Sequence, residues 1–243
     1  MGFGSDLLQA RSLDEIVEDG ILRVAVKGNL PPLGFLDPNG QLVGFEIDIA
    51  RELARRLLGS SDAVELIPTA NQDRLAVLIS DQVDLVIAQM GVTSTRAREV
   101  SFSRPYYLDG IGIVVRADSP IQRWADLHNR RIVALAGSEA VQRATLSLPT
   151  AEILTIGNYQ DGLDLLTLQA VEAVVADISV LAGWLRSNPG YRLLDPPLSS
   201  SGLAVVTAKG TDRIQLSRWV AQEIETLRSS GWLQERTEAW DLP

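Results

Sequence analysis

Arg96 follows the apolar run Leu85-Val-Ile-Ala88 and the turn-forming stretch Gly91-Val-Thr-Ser-Thr95. A run of that length suits a buried strand, and the glycine and hydroxyl residues set a turn, so the strand should deliver a guanidinium at its carboxyl end. Arg binds a carboxylate bidentately and cannot lose its charge, so beside exposed backbone N–H groups it makes an anion site. The alternative is an arginine at a helix start on the surface. A second apolar run, Ala173-Val-Val-Ala176, ends at Asp177 and delivers the opposite charge in the same manner. An amino-acid zwitterion carries that pair of charges, although Asp177 could instead cap the helix that follows. Lys27 closes the alternating stretch Ile21–Val26, at the strand end where open α/β sheets place ligands.

These residues need a scaffold of alternating strands and helices. Ser12–Gly20 reads as a capped helix, and Gly28–Phe35 is a loop forced by proline and glycine. Gly44–Ala50 leads into an amphipathic helix over Arg51–Gly59, with Phe45 a core candidate and Asp48 at the helix start. Val64–Pro68 is a strand, Asn71–Arg74 opens a helix, and Gly110–Val115 is a strand after which composition shifts. Arg131–Ala136, Glu152–Ile156 and Ala173–Ala176 are further strands, with helices from Gly137-Ser138 and from Tyr159 between them. The alternation predicts a largely parallel sheet. Leu203–Val206 returns, and two helices then pack back on the first lobe. Two α/β lobes follow from this order, residues 1–115 with 207–243 and residues 116–206, with hinges near Val115–Ala117 and Val206–Ala208.

The 243 residues are 46% hydrophobic, enough for a substantial core, and carry a net charge of −9. The basic residues form no run longer than a pair, which argues against a nucleic-acid partner. No cysteine and a single histidine, His128 in a polar turn, exclude a Cys/His zinc site, disulfides and thiol catalysis. No metal, no cofactor and no catalytic residue set is expected. No stretch reaches the length of a membrane span, and Met1–Asp6 lacks the regions of a secretory signal. Either the protein is cytosolic or its signal has been removed.

The pattern Val83-Asp-Leu-x-x-Ala88 followed by Thr93-x-x-Arg96 and Phe102-Ser-x-Pro-Tyr106, together with Gly44-Phe-x-x-Asp-x-Ala50, resembles the amino-acid-specific periplasmic solute-binding proteins of ABC importers. The resemblance runs from Ile21 to Trp240. It implies the two-lobed periplasmic-binding-protein-like (type II) fold, a ligand cleft between lobes joined by two hinge strands, an extracytoplasmic location, a membrane permease as partner and a monomeric state. It also implies residue roles. Arg96, with N–H groups at Gly91 and around Ser138 and Glu139, would take the ligand α-carboxylate, while Asp177, the Gln89 carbonyl and Tyr159 would meet the ammonium. Leu30 and Phe45 would supply apolar walls. Within the family, Val26-Lys-x-x-x-Pro31, Leu33-Gly-Phe35 and Asn71-x-x-Arg74 look most like the glutamate/aspartate-binding branch, which would set Lys27 and Arg74 against a side-chain carboxylate. Gly91 in place of the usual Thr, Glu139 after Ser138 and Leu135 in a position polar in some relatives depart from the pattern. They leave aspartate, glutamate and the amides asparagine and glutamine open. Other readings are the sensory domain of a larger receptor, and an enzyme like the dehydratases of cyclic amino-acid precursors on this fold, for which Glu139 would be the candidate acid.

Overall fold

The computed structural model describes residues 11–186 and 188–243, so the Met1–Asp6 start lies outside the described residues. The chain forms two compact units, one up to Tyr107 with Gly202–Trp240, the other Leu108–Ser201 with Asp241–Pro243. These divisions differ from the expected 115/116 and 206/207. The strand Ile111–Arg116 pairs with Ala173–Asp177, Val114 opposite Val174, and so already belongs to the second sheet. Val206 and Thr207 pair with Val86 and Leu85 of the first. Val115 and Arg116 thus end a strand that is paired on both sides, with Ala173–Asp177 and Tyr191–Leu193, and a turn follows at Ala117.

The first unit is built on a sheet ordered Val64–Pro68, Leu22–Val26, Leu85–Ile87, Ser201–Ala208, Val100–Asp109. The first three strands run parallel and the return strand antiparallel. Leu85, Val86 and Ile87 have no solvent exposure, because a strand covered on both faces loses the polar alternation of a half-exposed one. The Arg96 turn follows such a strand.

The long helix of this unit is Phe45–Leu58, so it starts earlier than the amphipathic stretch from Arg51. Its first N–H groups have no side-chain cap. Phe45 N donates to Pro32 O at 3.0 Å and Glu46 N to Leu33 O at 2.8 Å, which satisfies donors a helix start otherwise leaves orphaned. Gly44 permits this contact, with φ of 136° and a hypothetical Cβ 2.3 Å from Leu33 O, a position no other side chain could share. The helix Trp232–Ala239 is tied back by the Trp240 indole, whose Nε1 donates to Asp48 Oδ2 at 2.8 Å.

The second unit is ordered Glu152–Ile156, Arg131–Leu135, Ala173–Asp177, Ile111–Arg116, Tyr191–Leu193. Its first three strands are parallel and the last two pair antiparallel, so the expected parallel sheet holds for the strands that carry Leu135 and Asp177. Ser12–Gly20 forms the expected helix Leu13–Asp19 with a complete capping box. Among the described residues no helix is long and apolar enough to cross a membrane.

Candidate functional site

The first unit gathers its charged groups at the carboxyl ends of Leu22–Val26 and Leu85–Ile87. Lys27, 6% exposed, donates from Nζ to Asn71 Oδ1 at 2.9 Å. Burial lowers its pKa first, then the neighbouring Arg74 charge, against an opposing pull from Glu46. Arg74, the first residue of the helix Arg74–Ile79, is buried. Its Nε donates to Asn71 O at 3.1 Å and its Nη1 to Ala88 O at 2.5 Å and Gln89 O at 2.9 Å. The guanidinium thus clamps the chain where it leaves the buried strand. Lys27 and Arg74 do come together as expected, but most of the donors on Arg74 serve backbone carbonyls.

Gln89 occupies that clamp with φ of 51°, a left-handed conformation uncommon for a residue with a side chain. Its N–H goes to Glu46 Oε1 at 2.7 Å and its carbonyl to Arg74. Glu46, wholly buried, also accepts the Tyr106 hydroxyl on Oε1 at 2.6 Å. Burial pushes its carboxyl pKa up, while Tyr106, Gln89 N–H, Arg74 and Lys27 pull in the other direction. Sequence reasoning misses Glu46. Its one signal is an acid in the first turn of a helix, a placement that the macrodipole alone explains.

Arg96 opens the short helix Arg96–Glu99 and stays partly exposed, its Nη1 donating to Gly91 O at 3.0 Å and its backbone N–H to Thr93 Oγ1 at 3.2 Å. The turn therefore folds back on its own arginine and fixes the direction of the fork. Leu30 is 9% exposed and Phe45 is wholly buried, packed edge-on to Tyr106 and Tyr107 with centroids 6.0 and 5.9 Å apart. Phe45 is core. The helix start at Phe45 turns its ring inward against Tyr106 and Tyr107.

In the second unit Asp177 ends its strand as expected and precedes the helix Ile178–Leu185, yet its side chain makes no cap hydrogen bond. The capping alternative is removed by Asp109, which nothing in the sequence pattern singles out. Asp109 Oδ1 accepts Gly110 N at 2.8 Å and Ser179 N at 3.1 Å, and its Oδ2 takes the Ser179 hydroxyl at 2.6 Å. With that helix start served from elsewhere, the Asp177 carboxylate is left to the Tyr159 hydroxyl, a long contact of 3.5 Å. Burial first and the Asp109 charge second push the Asp177 carboxyl up to about 7, with Glu139 adding to the rise. The Tyr159 hydroxyl is pushed well above the usual phenol range by burial and by Asp177.

Ser138 precedes the helix Glu139–Ser147, and its hydroxyl donates to Leu135 O at 2.7 Å instead of capping. Glu139 is exposed and accepts Arg143 Nε at 3.0 Å one helical turn on. A solvated acid held by a neighbouring guanidinium is a poor candidate for a general acid poised near neutrality. No cluster of His, Cys, Asp and Glu suited to a metal occurs among the described residues.

Two α/β units of this build make the periplasmic-binding-protein-like fold. A crystal structure of an ancestral amino acid-binding protein, described as a precursor of cyclohexadienyl dehydratase, matches with a TM-score of 0.78 at 29% identity over 94% of this chain and 98% of that one. The chain belongs to the bacterial extracellular solute-binding proteins, family 3, matched over residues 22–242. It is 32% identical to a glutamine-binding protein of Geobacillus stearothermophilus across 82% of this chain and 77% of that protein. It is 26% identical to the L-cystine-binding protein TcyJ of Escherichia coli K12 across 94% of this chain and 85% of that protein.

Proposed function

We propose that this chain is the amino-acid-binding component of an ABC importer, acting as a monomer that hands its ligand to a membrane permease. The observation that carries the proposal is that each unit, taken by itself, offers one charged group near a strand end, an oriented Arg96 fork in the first and an uncapped Asp177 carboxylate in the second. A carboxylate complements the guanidinium and an ammonium the carboxylate, and an amino acid carries both groups. The named ligands of the relatives, glutamine and cystine, are amino acids. In this reading Arg96 and the N–H groups near Gly91 and Ser138 take the α-carboxylate, and Asp177 and the Gln89 carbonyl take the ammonium. Lys27, Asn71 and Arg74 face the side chain. A side chain ending in oxygen suits that cationic cluster, a class that includes glutamate, aspartate and their amides.

Thermal unfolding in the presence of each of the twenty amino acids tests the proposal, since a ligand that binds only the folded chain raises its stability with concentration. A concentration-dependent rise with at least one polar amino acid is the expected result. No rise with any of the twenty overturns the reading. A dehydratase reading gains from one observation, the Asp177 carboxyl at about 7 beside Tyr159, an acid poised for proton transfer. Formation of an aromatic product from a cyclohexadienyl substrate, followed by ultraviolet absorbance, decides it.

A further inference from the structure

Glu46 is an acid placed where a site for acidic side chains has no use for one. It has no solvent exposure, and the charges of Lys27 and Arg74 both act on its carboxyl. Oε1 is fully engaged by Gln89 N–H and the Tyr106 hydroxyl. Oε2 is buried and has no hydrogen-bond partner, and the Gln89 amide nitrogen, Nε2, is likewise buried without one. A buried polar atom left unpaired is costly. Here an acceptor and a donor are left unpaired within one cluster, on two residues that are already bonded to each other.

We infer that Glu46 makes the side-chain subsite select a neutral primary amide, as in glutamine or asparagine, over the corresponding carboxylate. The inference rests on the reading of this chain as an amino-acid-binding protein whose ligand side chain meets Lys27 and Arg74. An ionised carboxylate only accepts hydrogen bonds, whereas a primary amide both donates and accepts. The amide NH2 of a ligand supplies the donor that Oε2 lacks, and its carbonyl accepts from Lys27 Nζ or Gln89 Nε2. With Glu46 ionised, the form that the Arg74 and Lys27 charges favour against burial, a ligand carboxylate supplies no donor and sets a second negative charge beside it, and two carboxylates sharing a site disfavour joint ionisation. Most of the Arg74 donors, spent on the carbonyls of Asn71, Ala88 and Gln89, do little to offset it. A site built to hydrogen-bond one partner rejects an analogue that leaves its buried groups unpaired.

Calorimetric titration of the full chain with L-glutamine, L-glutamate, L-asparagine and L-aspartate at pH 7.5 tests the inference, on wild type and on Glu46→Gln. That substitution keeps an acceptor for Gln89 N–H and Tyr106 and turns the unpaired acceptor into a donor. Wild type is expected to bind the better amide at least tenfold more tightly than its acid. Glu46→Gln, folded by thermal unfolding, is expected to narrow that ratio tenfold or more, mainly through tighter binding of the acid. An acid bound as tightly as its amide by wild type overturns the inference, whether or not the variant folds. Equal changes for acid and amide in the variant overturn it as well. Binding of some other amino acid but none of these four overturns the inference and leaves the amino-acid-binding reading standing; binding of none of the twenty overturns both.

Discussion

If the Asp177 carboxylate receives the ligand ammonium, affinity must follow its ionisation. Burial, then Asp109, hold that carboxyl at about 7, so the competent ionised form falls from roughly nine-tenths at pH 8 to one-tenth at pH 6. Affinity should weaken about tenfold across that interval, about 1.4 kcal/mol, which is the equivalent of one pKa unit. The same group has a signature in the unliganded protein. Its folded pKa lies above the unfolded value of about 3.9, so between those two values the unfolded chain releases a proton that the folded chain keeps. The contribution of Asp177 to stability is thus largest below pH 4 and is lost as pH rises to 7. Three pKa units set a ceiling of about 4 kcal/mol, discounted because the carboxyl keeps part of its surface in water. Calorimetric titration of the tightest amino acid from pH 6 to 8, with unfolding scans of the free protein over pH 4 to 8, should show both trends in wild type. Asp177→Asn should flatten them. An affinity that does not change between pH 6 and 8, or a pH profile that Asp177→Asn leaves intact, would refute the assignment of the ammonium to Asp177.

Arg96→Ala removes the bidentate partner of the α-carboxylate and should cost about 3–5 kcal/mol of binding, with unfolding temperature nearly unchanged because the side chain is partly exposed; calorimetry and thermal scans separate the two. Arg74→Met should act in the opposite sense, since three backbone carbonyls lose their donor. A stability loss of about 3 kcal/mol or more in urea unfolding is expected. Asp109→Ala strips two N–H groups and the Ser179 hydroxyl of their acceptor and should lower stability by about 2–4 kcal/mol, again read by urea unfolding.

Most of the strands and their ends are legible in the sequence, because continuous apolar runs such as Leu85–Ala88 and Ala173–Ala176 are too short for a buried helix and too apolar for a loop. Lys27, Arg74, Arg96 and Asp177 are legible at or near those ends, since the charge that follows such a run is visible one residue at a time. What each charge is occupied with is not. Arg74 and Arg96 are the same residue type at similar offsets from apolar segments, yet one spends its donors on buried carbonyls and the other keeps a fork partly in water. The difference lies in the left-handed turn at Gln89, a conformation that side-chain residues adopt too seldom to be read from their type.

Asp109 and Asp177 make the same point in the second unit. Either carboxylate could cap the helix Ile178–Leu185, and proximity in sequence favours Asp177. The acceptor in place is Asp109, seventy residues from Ser179, brought there by the antiparallel pairing that sets Asp177 opposite Ile111. Once Asp109 holds that position, its negative charge also becomes a cause of the raised Asp177 pKa. One long-range contact thus both relieves Asp177 of a structural duty and makes its ionisation unfavourable without a cation beside it. An ammonium group supplies such a cation, so a purely structural role for Asp177 would leave its carboxylate as an uncompensated cost in the fold.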